Sequence, residues 1–117
     1  QYYDNINWRG LANVLQAMET CCREAKIYNI RLVKNVYGLA EECYRWLGDI
    51  RGLADTLDYS GYGHRESEDE SDKFIALSLW MESRQMWRNQ GNVEKAELIE
   101  RKIKKLQKKL YGDKKKK

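Results

Sequence analysis

At 117 residues, with 42% hydrophobic and 34% charged side chains, the chain is long enough for one domain with a continuous core and too apolar to be disordered. Its formal net charge is +4, it contains no proline, and no apolar run approaches the roughly 18 residues of a membrane span. The missing proline, with abundant Ala, Leu, Glu, Lys and Arg, predicts an all-α fold: an antiparallel four-helix bundle or two packed helical hairpins. No signal-peptide pattern opens the sequence, and its first residue is Gln, so a processed or excised chain is expected. Three cysteines form no disulfide framework and suit an intracellular setting, cytoplasmic or nuclear.

The first predicted helix starts near Asn7, a suitable N-cap before Trp8. Trp8, Leu11, Leu15, Met18, Cys22 and Ala25 then recur at helical spacing. A second series runs Leu32, Val36, Leu39, Cys43, Trp46, Ile50, Leu53 and Leu57, and a parallel row (Val33, Ala40, Leu47, Ala54) widens its apolar face. The two series share one phase. A single helix from Trp8 to Leu57, about 75 Å long, also fits the pattern. A turn near Tyr28–Asn29 is the preferred break and Gly38 the other candidate.

Residues 58–70, DYSGYGHRESEDE, read as a loop, with Gly61 and Gly63 between tyrosines and then an acidic run. A third helix is expected to start at a Ser67–Glu70 capping box or at Ser71, with Ala76, Leu79, Trp80, Ser83, Met86 and Trp87 facing inward. NQGN at 89–92 marks a tight connection, with Gly91 free to take positive φ and Asn92 as the next N-cap. The seam of the fourth helix is Ala96, Ile99, Ile103, Leu106 and Leu110. Glu97–Arg101 and Glu100–Lys104 have i,i+4 spacing in the favourable orientation. One domain is expected over residues 1–111, followed by a flexible basic tail over 112–117.

Charge is concentrated in two pieces. Residues 58–72 carry six acidic side chains and one basic; residues 101–117 carry ten basic and one acidic. An antiparallel hairpin through NQGN places both at one end of the bundle, where partial self-neutralisation is expected. Arg101, Lys102, Lys104, Lys105, Lys108, Lys109 and the terminal lysines are the candidate nucleic-acid contacts, binding phosphate by counterion release. A solvated helix end and a site for an anionic membrane surface are the competing readings, the membrane ranking last.

No other constellation assembles chemistry. His64 lies among loop carboxylates without ligand spacing and reads as an exposed loop histidine. Cys22 and Cys43 read as small buried hydrophobes and Cys21 as an exposed thiol. Glu41, Glu42, Asp49 and Asp55 alternate with Arg45 and Arg51 and read as solvated ion pairs, not an inward-facing metal site. With no glycine-rich phosphate loop and no nucleophile–base pair, neither catalysis nor a cofactor is expected.

Residues 80–96, WMESRQMWRNQGNVEKA, resemble a tetratricopeptide-type hairpin: Trp80, Trp87 seven residues on, Gly91, then Ala96. Arg84 and Glu100 stand where that family has a small residue and an aromatic. The resemblance implies a helical hairpin and, through the family's stacked grooves, contact with peptides. The expected function is therefore a small non-enzymatic module acting through protein contacts or self-association, with Tyr2, Tyr3, Tyr59 and Tyr62 as candidate contact points. The alternative is a nucleic-acid-binding accessory protein using the basic helix.

Overall fold

The computed structural model describes residues 7–26 and 29–115. These residues form helices and no strand. Helix α1 is Trp8–Glu24. The rod α2 covers residues 30–47: Ile30–Leu32, a π-helical turn at Val33–Tyr37, then Gly38–Leu47. Helices α3 (Ile50–Arg65), α4 (Glu70–Asn89) and α5 (Val93–Lys115) follow. Helix α5 continues past Tyr111, where a tail was expected to begin.

The caps explain the breaks. Asn7 Oδ1 accepts from Gly10 N at 2.9 Å, the anticipated N-cap, and at the expected break Asn29 Oδ1 accepts from Arg31 N at 2.9 Å and caps α2. Gly38 lies inside α2 with ordinary helical angles. The second break instead falls at Gly48, whose φ of +70° ends α2, and Asp49, whose Oδ1 accepts from Gly52 N at 2.9 Å. Residues 8–57 are thus neither one helix nor two but parts of three. Asp69 caps α4 through Ser71 N at 3.0 Å, in place of the predicted Ser67–Glu70 box. Gly91 has φ +78° and Asn92 Oδ1 accepts from Lys95 N, as its turn chemistry predicts.

The largest correction concerns residues 58–65, which are helix, not loop. Their glycines serve close approach, not turning. A Cβ at Gly61 would lie well under 3.0 Å from the Trp80 indole, and one at Gly63 well under 3.0 Å from the Val33 side chain. His64 is accordingly buried, with Nδ1 2.9 Å from the Ser60 carbonyl oxygen, and is not an exposed loop histidine. Only residues 66–69 connect α3 to α4.

Helix α3 lies between two apolar clusters. Leu53 and Leu57 pack with Ala12, Leu15, Ala40, Cys43 and Tyr44 of α1 and α2. Ala54 packs with Ala76, Trp80 and Trp87 of α4 and with Ile99 and Ile103 of α5. The result is two helical hairpins bridged by α3, within extents of 57 × 32 × 27 Å. In α2 the buried row is Val33, Tyr37, Ala40 and Tyr44, while Leu39 and Trp46 of the main predicted series are exposed. This row keeps the 4-3-4 spacing of a helix stripe and lies one residue from the main predicted series, so packing selects the neighbouring face. Met18 and Ala25 are likewise exposed, and Glu19 is buried, where it accepts from Thr56 Oγ1 at 3.2 Å.

Asp49 yields a direct test of this architecture. The Gly52 amide, followed by Arg9 at 3.1 Å, holds its carboxyl below the ordinary value even though burial acts the other way. A depressed folded pKa means its contribution is complete above the unfolded value of about 3.9 and is lost as pH falls through the folded one. Asp49→Ala is expected to cost about 0.5–2 kcal/mol at neutral pH, a penalty that shrinks below about pH 4. Thermal melts of the two proteins across that range check it; a penalty independent of pH would contradict it.

Candidate nucleic-acid interface

In α5 the apolar seam of Ala96, Ile99, Ile103 and Leu106 is buried against α3 and α4, with Leu110 half-buried. The seam fixes where the basic residues point. Arg101, Lys104, Lys105, Lys108 and Lys109 are all exposed, and no acidic residue interrupts 101–112. Within this face Arg101, Lys105 and Lys109 form one row at i, i+4, i+8, each step rising about 6 Å. Lys104 and Lys108 form a second row beside it.

Lys102 does not belong with them. Its Nζ sits 2.9 and 3.0 Å from the two Asp58 carboxylate oxygens and 4.4 Å from the centre of the Tyr62 ring. Burial alone would lower its pKa, but the Asp58 charge and hydrogen bonds to Tyr62 and Asp58 outweigh that and hold it above the ordinary lysine value. Lys102 is a structural cation joining α3 to α5. Helix α5 runs to Lys115; residues 116 and 117, and with them part of the expected lysine tail, lie outside the described residues.

The acidic segment and the basic helix do share one end of the molecule, since the Phe74 and Tyr111 rings lie 6.0 Å apart. Asp58 neutralises Lys102, but the rest of the acidic segment engages other partners. Glu66 pairs with Arg65, Asp69 caps α4, and Asp72 accepts from Ser67 Oγ at 2.8 Å with Lys34 at 3.9 Å. Among the described residues, none of the five exposed α5 cations forms an ion pair with these carboxylates. Glu100, expected to pair with Lys104, instead accepts from Arg84 and from Arg88, the latter at 3.5 Å. Arg84 and Glu100, which both depart from the tetratricopeptide pattern, are therefore each other's partners.

The basic row also lines a cleft of about 390 Å³ between α5 and the end of α3. Arg101, Lys105 and Lys109 form one wall, Arg65 and Glu66 the other, and Tyr62 and Leu106 contribute apolar surface. Sequence reading missed Arg65 because it placed that residue in a loop. A second cleft, of about 270 Å³, lies beside it along the same helices. There Lys95 covers the Trp87 ring at 4.2 Å and meets Asp55 at 3.6 Å, so its charge is matched locally.

Ion pairs also join helices elsewhere. Arg45 bridges Glu41 at 3.1 Å and Glu82 at 2.8 Å, in keeping with ion pairs on a solvated face. Cys43 is buried, which raises its thiol pKa, and Cys21 is exposed. Among the described residues no group of three His, Cys, Asp or Glu side chains could hold a metal ion, and no helix is long and apolar enough to cross a membrane. Of the candidate contact tyrosines, Tyr2 and Tyr3 lie outside the described residues. Tyr62 is packed edge-on against Trp80 at 5.6 Å, and Tyr59 lines the second cleft.

No family model, curated protein or solved structure matches the chain. The tetratricopeptide resemblance rests on residues 80–96 alone.

Proposed function

We propose that this protein is a small, non-enzymatic helical module that binds nucleic acid through the exposed basic face of α5. One observation carries the reading: five exposed cations between 101 and 109, with no intervening acid and no ion pair to the neighbouring acidic segment among the described residues. A resident carboxylate partner would have to be displaced before phosphate could bind. On this face none has to be. The contacts are to phosphates, so affinity without sequence preference is expected, with a Kd of about 10⁻⁴–10⁻⁶ M at physiological salt. Fluorescence anisotropy of a labelled oligonucleotide, titrated with the protein at low salt, tests this. An unchanged signal at high protein concentration would reduce the basic helix to a solvated end.

Self-assembly is the second reading, and a different observation favours it. Trp46 is 56% exposed, its ring 5.7 Å from that of Trp8, and Ile50 is exposed nearby at the start of α3. This apolar patch lies about 22 Å along α3 from Arg65 and the basic end. A second copy could meet it through the same surface without bringing two basic ends together. Sedimentation should then show concentration-dependent dimers that Trp46→Ser abolishes while oligonucleotide binding persists; a monomer at high concentration removes this reading.

A further inference from the structure

We infer that the cleft between the end of α3 and α5 takes a single strand of nucleic acid in preference to a duplex, with Arg65 setting that preference. The inference rests on the nucleic-acid reading above and specifies its ligand. An exposed helix face alone would not discriminate, because a duplex can lie against it as readily as a strand.

The cleft differs from that face in three respects. Its cations come from two walls, Arg101, Lys105 and Lys109 on α5 and Arg65 on α3. One phosphodiester chain can run between such walls, while a duplex, whose major groove alone is about 12 Å wide, is confined to the rim. Second, the cleft has the apolar and aromatic surface that unstacked bases require. The Arg65 guanidinium lies 4.9 Å from the centre of the Tyr62 ring, and Tyr62 is held edge-on to the fully buried Trp80. A guanidinium fixed on an aromatic ring offers its other face for base stacking, the platform used in single-strand recognition. Third, the one lysine deep in the cleft, Lys102, is neutralised by Asp58, so the interior is not an uncompensated charge that only phosphate could satisfy.

Glu66 is the internal competitor. It lines the same cleft and pairs with Arg65, so an entering strand takes its place on the guanidinium. Neutralising Glu66 should therefore strengthen single-strand binding, an outcome that misfolding cannot imitate.

The test compares a labelled single strand with the duplex of the same sequence, by anisotropy, over a range of salt. Four cleft cations predict a slope of log K against log salt of about −3 for the strand, shallower than the duplex slope, so the preference for the strand should widen as salt rises. Arg65→Gln should weaken strand binding about tenfold and flatten its slope by about 0.7, with duplex affinity unchanged within about twofold. Glu66→Gln should tighten strand binding, and Lys108→Glu, outside the cleft, should weaken both ligands. Loss of all binding in the unmodified protein would remove the nucleic-acid reading itself. Binding of strand and duplex alike, with Arg65→Gln affecting neither or both equally, would overturn the cleft assignment and leave that reading standing.

Discussion

Trp80→Ala is expected to lower the unfolding free energy by about 3–5 kcal/mol. Trp80 is 0% exposed and sits where α3, α4 and α5 meet, its indole N–H donating to the Asp58 carbonyl at 3.0 Å. Truncation removes a large apolar surface, opens a cavity under Tyr62 and leaves a half-buried carbonyl with one partner fewer. Against a domain stability of about 5–15 kcal/mol this is a large fraction, and in urea the midpoint should fall sharply. Gly61 supplies the control. In the unmodified protein Gly61→Ala forces a methyl into the indole and should cost about 1–3 kcal/mol. In the Trp80→Ala background the obstruction is gone, and the same change should be neutral or gain up to about 1 kcal/mol from helix propensity. Strict additivity of the two substitutions would mean that Gly61 and Trp80 are not in contact.

The second large effect concerns binding. Lys104→Glu, Lys105→Glu and Lys108→Glu together turn a face of five cations into two cations and three carboxylates, and oligonucleotide binding should fall below detection. Helicity should survive, because these side chains are exposed and the seam beneath them is untouched. Some loss of stability is expected, since carboxylates at 104 and 108 stand i,i+4 to each other and to Glu100, like-charge pairs that oppose a helix by about 0.2–0.5 kcal/mol each. Circular dichroism separates that loss from unfolding. Full binding by a folded triple variant would place the contact elsewhere on the molecule.

Local signals in the sequence were the reliable ones. The α4–α5 hairpin follows from Gly91, Asn92 and the two seams, all read from spacings of four residues or fewer. Glycine was ambiguous: Gly61 and Gly63 read as turn formers, whereas they admit Trp80 and Val33, partners 19 and 30 residues away in sequence. The Gly48–Asp49 break was legible as a left-handed stop followed by an N-cap, but the unbroken apolar series across it concealed it. Periodicity also failed to show that Trp46 faces solvent, because two adjacent apolar rows run along α2 and only its packing against α1 and α3 selects between them. The basic candidates share a composition, but packing sorts them. Lys102 is taken by Asp58 and Arg65 joins from α3, and both depend on how two helices pack.

The most direct measurement is the slope of log K against log salt for a labelled duplex with the unmodified protein and the triple glutamate variant. Five phosphate-contacting cations predict a slope of about −4.5, so affinity should drop about 500-fold between 50 and 200 mM salt, with no measurable binding by the variant. Binding that is insensitive to salt, or equal in the two proteins, would contradict a role for the α5 face in holding phosphate.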